Sequence, residues 1–307
     1  MKVLIAEDDP ISRRVLENKI KEWGYEAVTT RNGKEAWKLI KKDEIRLAIL
    51  DWVMPGMSGI ELCRKIRLER KEKNSKYIYI ILLTSKGQQN DIIKGLSAGA
   101  DDYMTKRANF PELKVRLQNG KRIIETEDWR LKLANFDGLT NLWSRNKIFD
   151  FFEEELERSS RENRPISTIM VDIDHFKRIN DSHGHFIGDT VLCEVASRLK
   201  RSTRHYDKIG RYGGDEMLVI LPNCSFDNVK HIAEHLRRSI GEEKIKTESG
   251  LLEITISLGG ASSEGLPPRS RNNLIQDSDN ALYLAKKQGG NRAVIAEPHN
   301  KNMKKTF

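Results

Sequence analysis

The sequence predicts two domains of different class: a doubly wound α/β domain on a five-stranded parallel sheet, then a helical connector, then an α+β domain on an antiparallel sheet. Three observations lead there. Five short hydrophobic runs alternate with amphipathic segments at the start of the chain, the pattern of successive βα units. Further on, the diglycine Gly213-Gly214 separates two strand-like runs, a strong hairpin signal because the favoured two-residue turns need positive φ. A length of 307 residues is enough for two separate cores. The boundaries expected are 1–120 for the first domain, 121–136 for the connector, 137–297 for the second domain and 298–307 for a flexible, Lys-rich tail.

In the first domain, strands are predicted over residues 2–6, 26–30, 47–50, 78–83 and 102–105. Helices begin near Ile11, Gly33, Gly59, Gln88 and Phe110. In such folds ligands bind at the carboxyl ends of the strands, and that is where polar residues fall: Glu7, Asp8 and Asp9, then Asp51, then Thr84-Ser85, then Lys106. Any one of these is an ordinary water-facing strand end; their agreement points to a site. Acids converging from two strand ends suit Mg²⁺, and a lysine with a hydroxyl beside them suits a phosphoryl group.

The connector carries Leu113, Leu117, Gly120, Ile124, Glu127, Leu131 and Ala134 at spacings of 4, 3, 4, 3, 4, 3, a weak heptad seam. The expectation is a helix that runs beyond the first domain and pairs with its copy, with Gly120 as its soft spot. In the second domain, strands are predicted over 166–172, 211–221 (the hairpin) and 252–259. Helices are predicted near 144–161, 189–203, 226–240 and 279–287. The run ending at Asp172 would deliver that acid to a strand tip, and Asp215 with Glu216 follows the diglycine. If the strands are neighbours, the three carboxylates form a site for one or two Mg²⁺ on a triphosphate. Lys177 and Lys286 would balance phosphate charge. Asn180 and Asp189 offer the edges that read a purine, and a buried Asp189 would reject adenine.

Composition narrows the class. Hydrophobic residues are 38% and charged residues 32%, which is globular, and no apolar run reaches membrane-span length, so a cytoplasmic protein without a membrane partner is expected. Three scattered cysteines indicate neither a disulfide framework nor a zinc site. A net charge of +9 raises nucleic acid as a partner, but no recognition-helix pattern accompanies it; an anionic nucleotide and solvated helix faces account for the excess. His231 and His235 are spaced for zinc but lack a third ligand, and His183 and His185 flank a turn.

Two resemblances follow from specific stretches. Leu4-Ile5-Ala6-Glu7-Asp8-Asp9-Pro10, Leu50-Asp51-Trp52-Val53-Met54-Pro55-Gly56, Leu83-Thr84-Ser85 and Gly99-Ala100-Asp101-Asp102-Tyr103-Met104-Thr105-Lys106 resemble a response-regulator receiver domain. The resemblance implies that Asp51 accepts a phosphoryl group from a histidine kinase and that Glu7, Asp8, Asp51 and the Val53 carbonyl hold Mg²⁺. It also implies that Thr84 and Tyr103 form a switch pair and that Lys106 contacts the phosphoryl oxygens. Arg107 stands where proline is usual; the Lys106–Arg107 bond is either trans with a shifted loop, or cis at a cost of about 2.5–4 kcal/mol.

Asp137-Gly138-Leu139-Thr140-Asn141-Leu142-Trp143-Ser144-Arg145, residues 172–181 and 184–189, Gly213-Gly214-Asp215-Glu216-Met217 and residues 279–286 resemble the GGDEF family of diguanylate cyclases. That implies a homodimer condensing two GTP to cyclic di-GMP and two pyrophosphates, with Asp172, the Ile173 carbonyl, Asp215 and Glu216 on Mg²⁺ or Mn²⁺. Glu216 would also aid deprotonation of the 3′-hydroxyl. Asn180 and Asp189 would contact guanine, Lys177 and Lys286 phosphates, Gly213 and Gly214 the nucleotide, and Arg204 with Asp207 a product-binding inhibitory site. Met217, Asn141, Ser144 and Gly290 depart from the family's usual phenylalanine, glycine, asparagine and arginine; Arg292 either compensates for Gly290 or phosphate affinity is reduced. The alternative reading is a catalytically weak module that binds GTP or cyclic di-GMP.

Overall fold

The computed structural model describes residues 1–42, 44–73, 76–84, 89–106, 109–264 and 270–297. Ser85, the Lys106–Arg107 bond and the tail at 298–307 lie outside the described residues. Two compact units are present, Met1–Leu131 and a second beginning at Lys132.

The first unit runs β1 (Lys2–Ala6), α1 (Pro10–Glu22), β2 (Glu26–Thr30), α2 (Gly33–Ile40), β3 (Leu47–Asp51), α3 (Gly59–Lys73), β4 (Tyr79–Thr84), α4 (Gln89–Ser97), β5 (Asp102–Thr105) and the start of α5 (Phe110–Asn135). All strands pair in parallel in the order β2-β1-β3-β4-β5. Alternate residues feed two cores. Leu4, Ala48, Leu50, Ile80 and Leu82 meet Trp37 and Leu62 on one face; Val3, Ile5, Ile49 and Ile81 meet Leu16, Ile20 and Leu113 on the other. With both faces covered, only the strand ends are left for chemistry.

The heptad reading of α5 needs correction. Leu113, Leu117 and Ile124 are buried in the unit's own core, and a β-carbon at Gly120 would come 2.5 Å from Tyr79 and 2.8 Å from Leu47. The seam's first half is spent on the sheet beneath it, and Gly120 is a close-approach position rather than a soft spot. Arg46 reinforces this with a two-pronged bond to Asp128 at 2.8 and 3.0 Å, so the unit extends past the boundary expected at residue 120. Ile123 and Leu133 are the apolar side chains that α5 leaves exposed along its second half, with Trp129 and Leu131.

The second unit contains α6 (Arg145–Glu162), β6 (Ile166–Ile173), α7 (Phe176–His183), α8 (His185–Ser202), β7 (Lys208–Gly213), β8 (Glu216–Pro222), α9 (Phe226–Gly241), β9 (Ile245–Thr247), β10 (Gly250–Leu252), β11 (Ile256–Ser262), α10 (Arg271–Lys287) and β12 (Ala293–Ile295). Its main sheet has the order β12-β11-β6-β8-β7, antiparallel except that β12 joins in parallel. The strand expected at 252–259 is two strands: Leu252 ends a small hairpin with β9, and β11 starts at Ile256. The hairpin turn is also shifted. Gly213 pairs with Glu216, so Gly214 and Asp215 are its central residues, and Gly214 alone of the two glycines has positive φ (+47°). Two family departures have simple reasons: Asn141 takes positive φ (+53°), which asparagine tolerates better than most residues, and Ser144 caps α6 by accepting from the Lys147 N–H.

Gly120→Ala tests the packing. On an open helix that change adds about 0.5–1 kcal/mol of stability; here it lowers the thermal midpoint of the first unit, because crowding costs about 1–3 kcal/mol.

Candidate functional site

In the first unit, β1, β3 and β5 carry their terminal polar residues to one place. Glu7 and Asp51 are 1% and 4% exposed. The Lys106 ammonium donates to both, at 2.8 Å from Glu7 Oε1 and 2.7 Å from Asp51 Oδ2. Burial pushes the Glu7 and Asp51 carboxyls up against the pull of Lys106. Burial also opposes the charge on Lys106, yet its bonds to Asp51 and Glu7 win and its pKa rises.

One oxygen each from Glu7, Asp8 and Asp51 lies within 4.8 Å of the others, and among the described residues this is the one such group of metal-type donors. The buried Glu7 Oε2 has no partner. An all-oxygen donor set with an unsatisfied buried oxygen fits a hard divalent cation. Thr84 is buried at the end of β4, where its carbonyl accepts from the Lys106 N–H at 2.7 Å; Tyr103 is half-buried on β5. Val53 is exposed in the loop after Asp51, with its N–H 3.4 Å from Asp51 Oδ1.

In the second unit, β6 and β8 place Asp172 directly opposite Glu216. Opposed residues of an antiparallel pair point to the same face, so two of the three expected acids share a face at the strand tips, beside the turn that holds Asp215. The three do not close into a tight cluster, since their oxygens do not form a mutual group within 4.8 Å. Lys286 enters from α10 instead and donates to Asp172 Oδ2 at 2.6 Å. Burial pushes the Asp172 carboxyl up to about 6; Lys286 draws it down, and Asp215 and Glu216 push it up. Burial likewise raises Glu216, with Lys286 and Arg145 pulling the other way. A buried carboxylate repelled by two half-buried ones fits a hard cation in addition to the lysine. Ile173 is the last residue of β6, next to Asp172.

The purine-reading residues come out differently. Asn180 on α7 is half-buried, its Oδ1 has no partner, and a β-carbon at Gly188 of α8 would collide with that oxygen. Asp189 is exposed in the first part of α8, which corrects the expectation that it is buried. Lys177 is exposed on α7. The Arg204 and Asp207 side chains do not pair with each other: the Arg204 backbone N–H donates to Asp207 Oδ2 at 2.8 Å, and the guanidinium reaches the Tyr206 hydroxyl at 2.9 Å. Beside them is a cavity of about 500 Å³ lined by Phe136, Trp143, Lys200, Lys208 and both residues of the pair. His231 and His235 are exposed on α9, and His183 and His185 on either side of Gly184.

Sequence reasoning missed two supports. Arg211 Nε donates to the Gly214 carbonyl at 2.9 Å while its Nη1 holds Asp137 at 3.0 and 3.2 Å, tying the turn to a residue 74 positions away. Asp174 accepts from the Thr255 hydroxyl at 2.6 Å, the Ser257 hydroxyl at 2.5 Å and the Asn291 N–H at 2.9 Å. A β-carbon at Gly290, which has φ +74°, would sit 2.9 Å from Asp174 Oδ1. Glycine at 290 therefore suits this backbone, whereas arginine there would be strained. Arg292 folds back onto α10, donating to the Gly290 carbonyl and Gln288 Oε1, both at 3.2 Å.

The family model described as "Diguanylate cyclase, GGDEF domain" matches residues 134–292. The chain belongs to the GGDEF family. Residues 3–118 match the response regulator receiver domain, so this GGDEF protein carries a receiver at its N-terminal side. Response regulator PleD of Caulobacter vibrioides is 28% identical over 305 residues, covering 95% of this chain and 65% of that protein. Diguanylate cyclase A of Treponema denticola is 36% identical over 170 residues, covering 54% of this chain and 46% of that one. The chain thus spans less than two thirds of the length of these relatives. Among solved structures, the coiled coil and GGDEF domain of DgcB from Caulobacter crescentus, in complex with c-di-GMP, aligns with a TM-score of 0.56 at 30% identity, covering 61% of this chain and 98% of that one. Among the described residues, no helix is long and apolar enough to cross a membrane.

The raised Asp172 carboxyl has a consequence for stability. Its folded pKa of about 6 lies above the unfolded value of 3.8, so between these values the folded state holds more protons and stability falls as pH rises. In chelator, raising the pH from 4 to 7 is expected to cost the second unit about 2 kcal/mol by this route. Asp172→Asn should flatten that fall and raise the melting temperature at pH 7; an unchanged pH profile would contradict the reading.

Proposed function

We propose that this chain is a receiver-controlled diguanylate cyclase. The observation that carries the reading is the direct cross-strand pairing of Asp172 with Glu216 beside the diglycine turn, with Lys286 on the same acid. In the reaction, the 3′-oxygen of each GTP attacks the α-phosphorus of the other, the bond to the β-phosphate bridging oxygen breaks, and pyrophosphate leaves. Two such steps, one per GTP, close the ring. Because each nucleophile belongs to the nucleotide of the opposite subunit, two copies must meet face to face, and the dimer is the element to be controlled.

Asp172, Asp215, Glu216 and the Ile173 carbonyl would hold Mg²⁺, which when bound neutralises triphosphate charge. Glu216, its pKa raised by burial, is poised to accept the 3′-hydroxyl proton. Lys286 exchanges its bond to Asp172 for phosphate oxygens as the cation arrives, and Lys177 reaches phosphate from the exposed face of α7. Asn180, whose buried Oδ1 lacks a donor, and Asp189 read the guanine edge above Gly213 and Gly214.

In the receiver, Asp51 would take the phosphoryl group of a histidine kinase, with Glu7, Asp8 and the Val53 carbonyl holding Mg²⁺. Lys106 and Thr84 answer the new charge, and Tyr103 responds to Thr84. Copies would pair through the face of α5 that bears Ile123 and Leu133, since the buried heptad positions are taken. Arg204, Asp207 and the adjoining cavity would bind product and inhibit. The second reading, a weakly catalytic binding module, is favoured by one observation: the glycine conformation at 290 leaves no arginine for the phosphates.

Purified protein with GTP and Mg²⁺ should make cyclic di-GMP, and Glu216→Gln should lower the rate at least about 100-fold; GTP binding without product would establish the second reading. A phosphodonor should raise the wild-type rate and leave Asp51→Asn unaffected, and equal stimulation of both would remove Asp51 from the control. Progress curves that stall as product accumulates should continue for Arg204→Ala, and identical stalling would exclude Arg204 from inhibition.

A further inference from the structure

Arg13 lies in the first part of α1, half-buried, behind the acidic loop that follows β1. A single guanidinium nitrogen, Nη1, donates to two successive carbonyls of that loop, Glu7 at 2.7 Å and Asp8 at 3.1 Å. These are the two residues whose carboxylate oxygens gather with that of Asp51. The loop is also held by the Glu7 N–H bonded to the Thr30 carbonyl at 3.2 Å, by the Asp9 N–H donating to Glu7 Oε1 at 3.3 Å, and by the Asp9 side chain, which caps α1 by accepting from the Ser12 N–H at 2.7 Å. Arg13 alone, among these contacts, bonds the two carbonyls.

We infer that Arg13 is a positioning residue for the receiver's cation loop: by holding the Glu7 and Asp8 carbonyls from behind, it keeps both carboxylates turned toward Asp51. The inference rests on the reading of Glu7, Asp8 and Asp51 as a divalent-cation site. Two effects of the guanidinium compete. Its positive charge alone weakens binding of another cation, which predicts tighter binding when it is removed. Its paired bonds from Nη1 to the backbone fix the ligands before the cation arrives, which predicts weaker binding. Groups that orient metal ligands from outside the coordination sphere are commonly worth 10–100-fold in affinity, whereas one charge at a half-exposed position is strongly screened. Positioning therefore wins, and the sign of the change identifies the role.

The experiment titrates the full-length, chelator-treated protein with Mg²⁺ and follows tryptophan fluorescence, since Trp52 is adjacent to Asp51. Trp52→Phe assigns the signal, and Asp51→Asn sets the baseline for binding elsewhere. Arg13→Met should weaken Mg²⁺ about tenfold. Arg13→Lys keeps the charge and a single donor nitrogen but places it one atom nearer the helix, and should fall between, about threefold weaker than wild type. Apo melting curves separate loss of fold from loss of affinity; if Arg13→Met melts early, Arg13→Lys carries the comparison. Affinity in the intact variant equal to or tighter than wild type would overturn the inference. A wild-type protein with no Mg²⁺ response beyond that of Asp51→Asn would overturn the cation reading, and the role of Arg13 with it.

Discussion

An ionised carboxylate at the tip of a buried strand has lost most of its water, and it stays charged only where a cation replaces that water. Both halves of this chain are arranged around that constraint. Lys106 bridges Glu7 and Asp51 in one, and Lys286 meets Asp172 in the other. In each case the lysine comes from a segment far along the chain, so the acids can be buried only after the sheet has closed. The carboxyls are nevertheless left with raised pKa values. One ammonium does not fully offset the burial of two or three neighbouring acids. The remaining deficit is what a divalent ion would relieve.

The same geometry would give the lysines a second use. A lysine bonded to a carboxylate that later binds a cation loses part of its attraction to that carboxylate, because the cation takes the oxygen's charge. The ammonium would then be free to turn to an anion that accompanies the cation. The Lys286 side chain is 42% exposed, so such a turn would cost little burial. A flexible point charge suits this exchange better than the rigid fork of arginine.

Most of the fold was legible because hydrophobic period and turn chemistry agree along the chain. The first five strands start and end within a residue or so of the hydrophobic runs, and Asp172, Asp215 and Glu216 stand beside a real hairpin. Contacts between distant residues were not legible. Nothing local marks Asp137 as the partner of Arg211, or Asp174 as the anchor of residues 290 and 291. The burial of Asp189 was inferred from the chemistry a purine would want, and side-chain exposure at a helix N-terminus does not follow from that. Residues 252–259 read as one strand because their apolar positions alternate throughout; Thr255, which bonds Asp174, lies between the two strands actually formed.

The heptad on α5 shows why periodicity cannot name a partner. A stripe at spacings of four and three fits a coiled coil, and it fits equally a helix laid across its own sheet, because both bury one face of the same helix. What separates them is the character of the central position. Paired helices at ordinary spacing, 8–10 Å apart, favour a branched side chain there, whereas Gly120 is found where Tyr79 and Leu47 press to within about the distance of a missing β-carbon. A glycine among leucines on such a stripe thus argues for a close, flat neighbour such as a sheet.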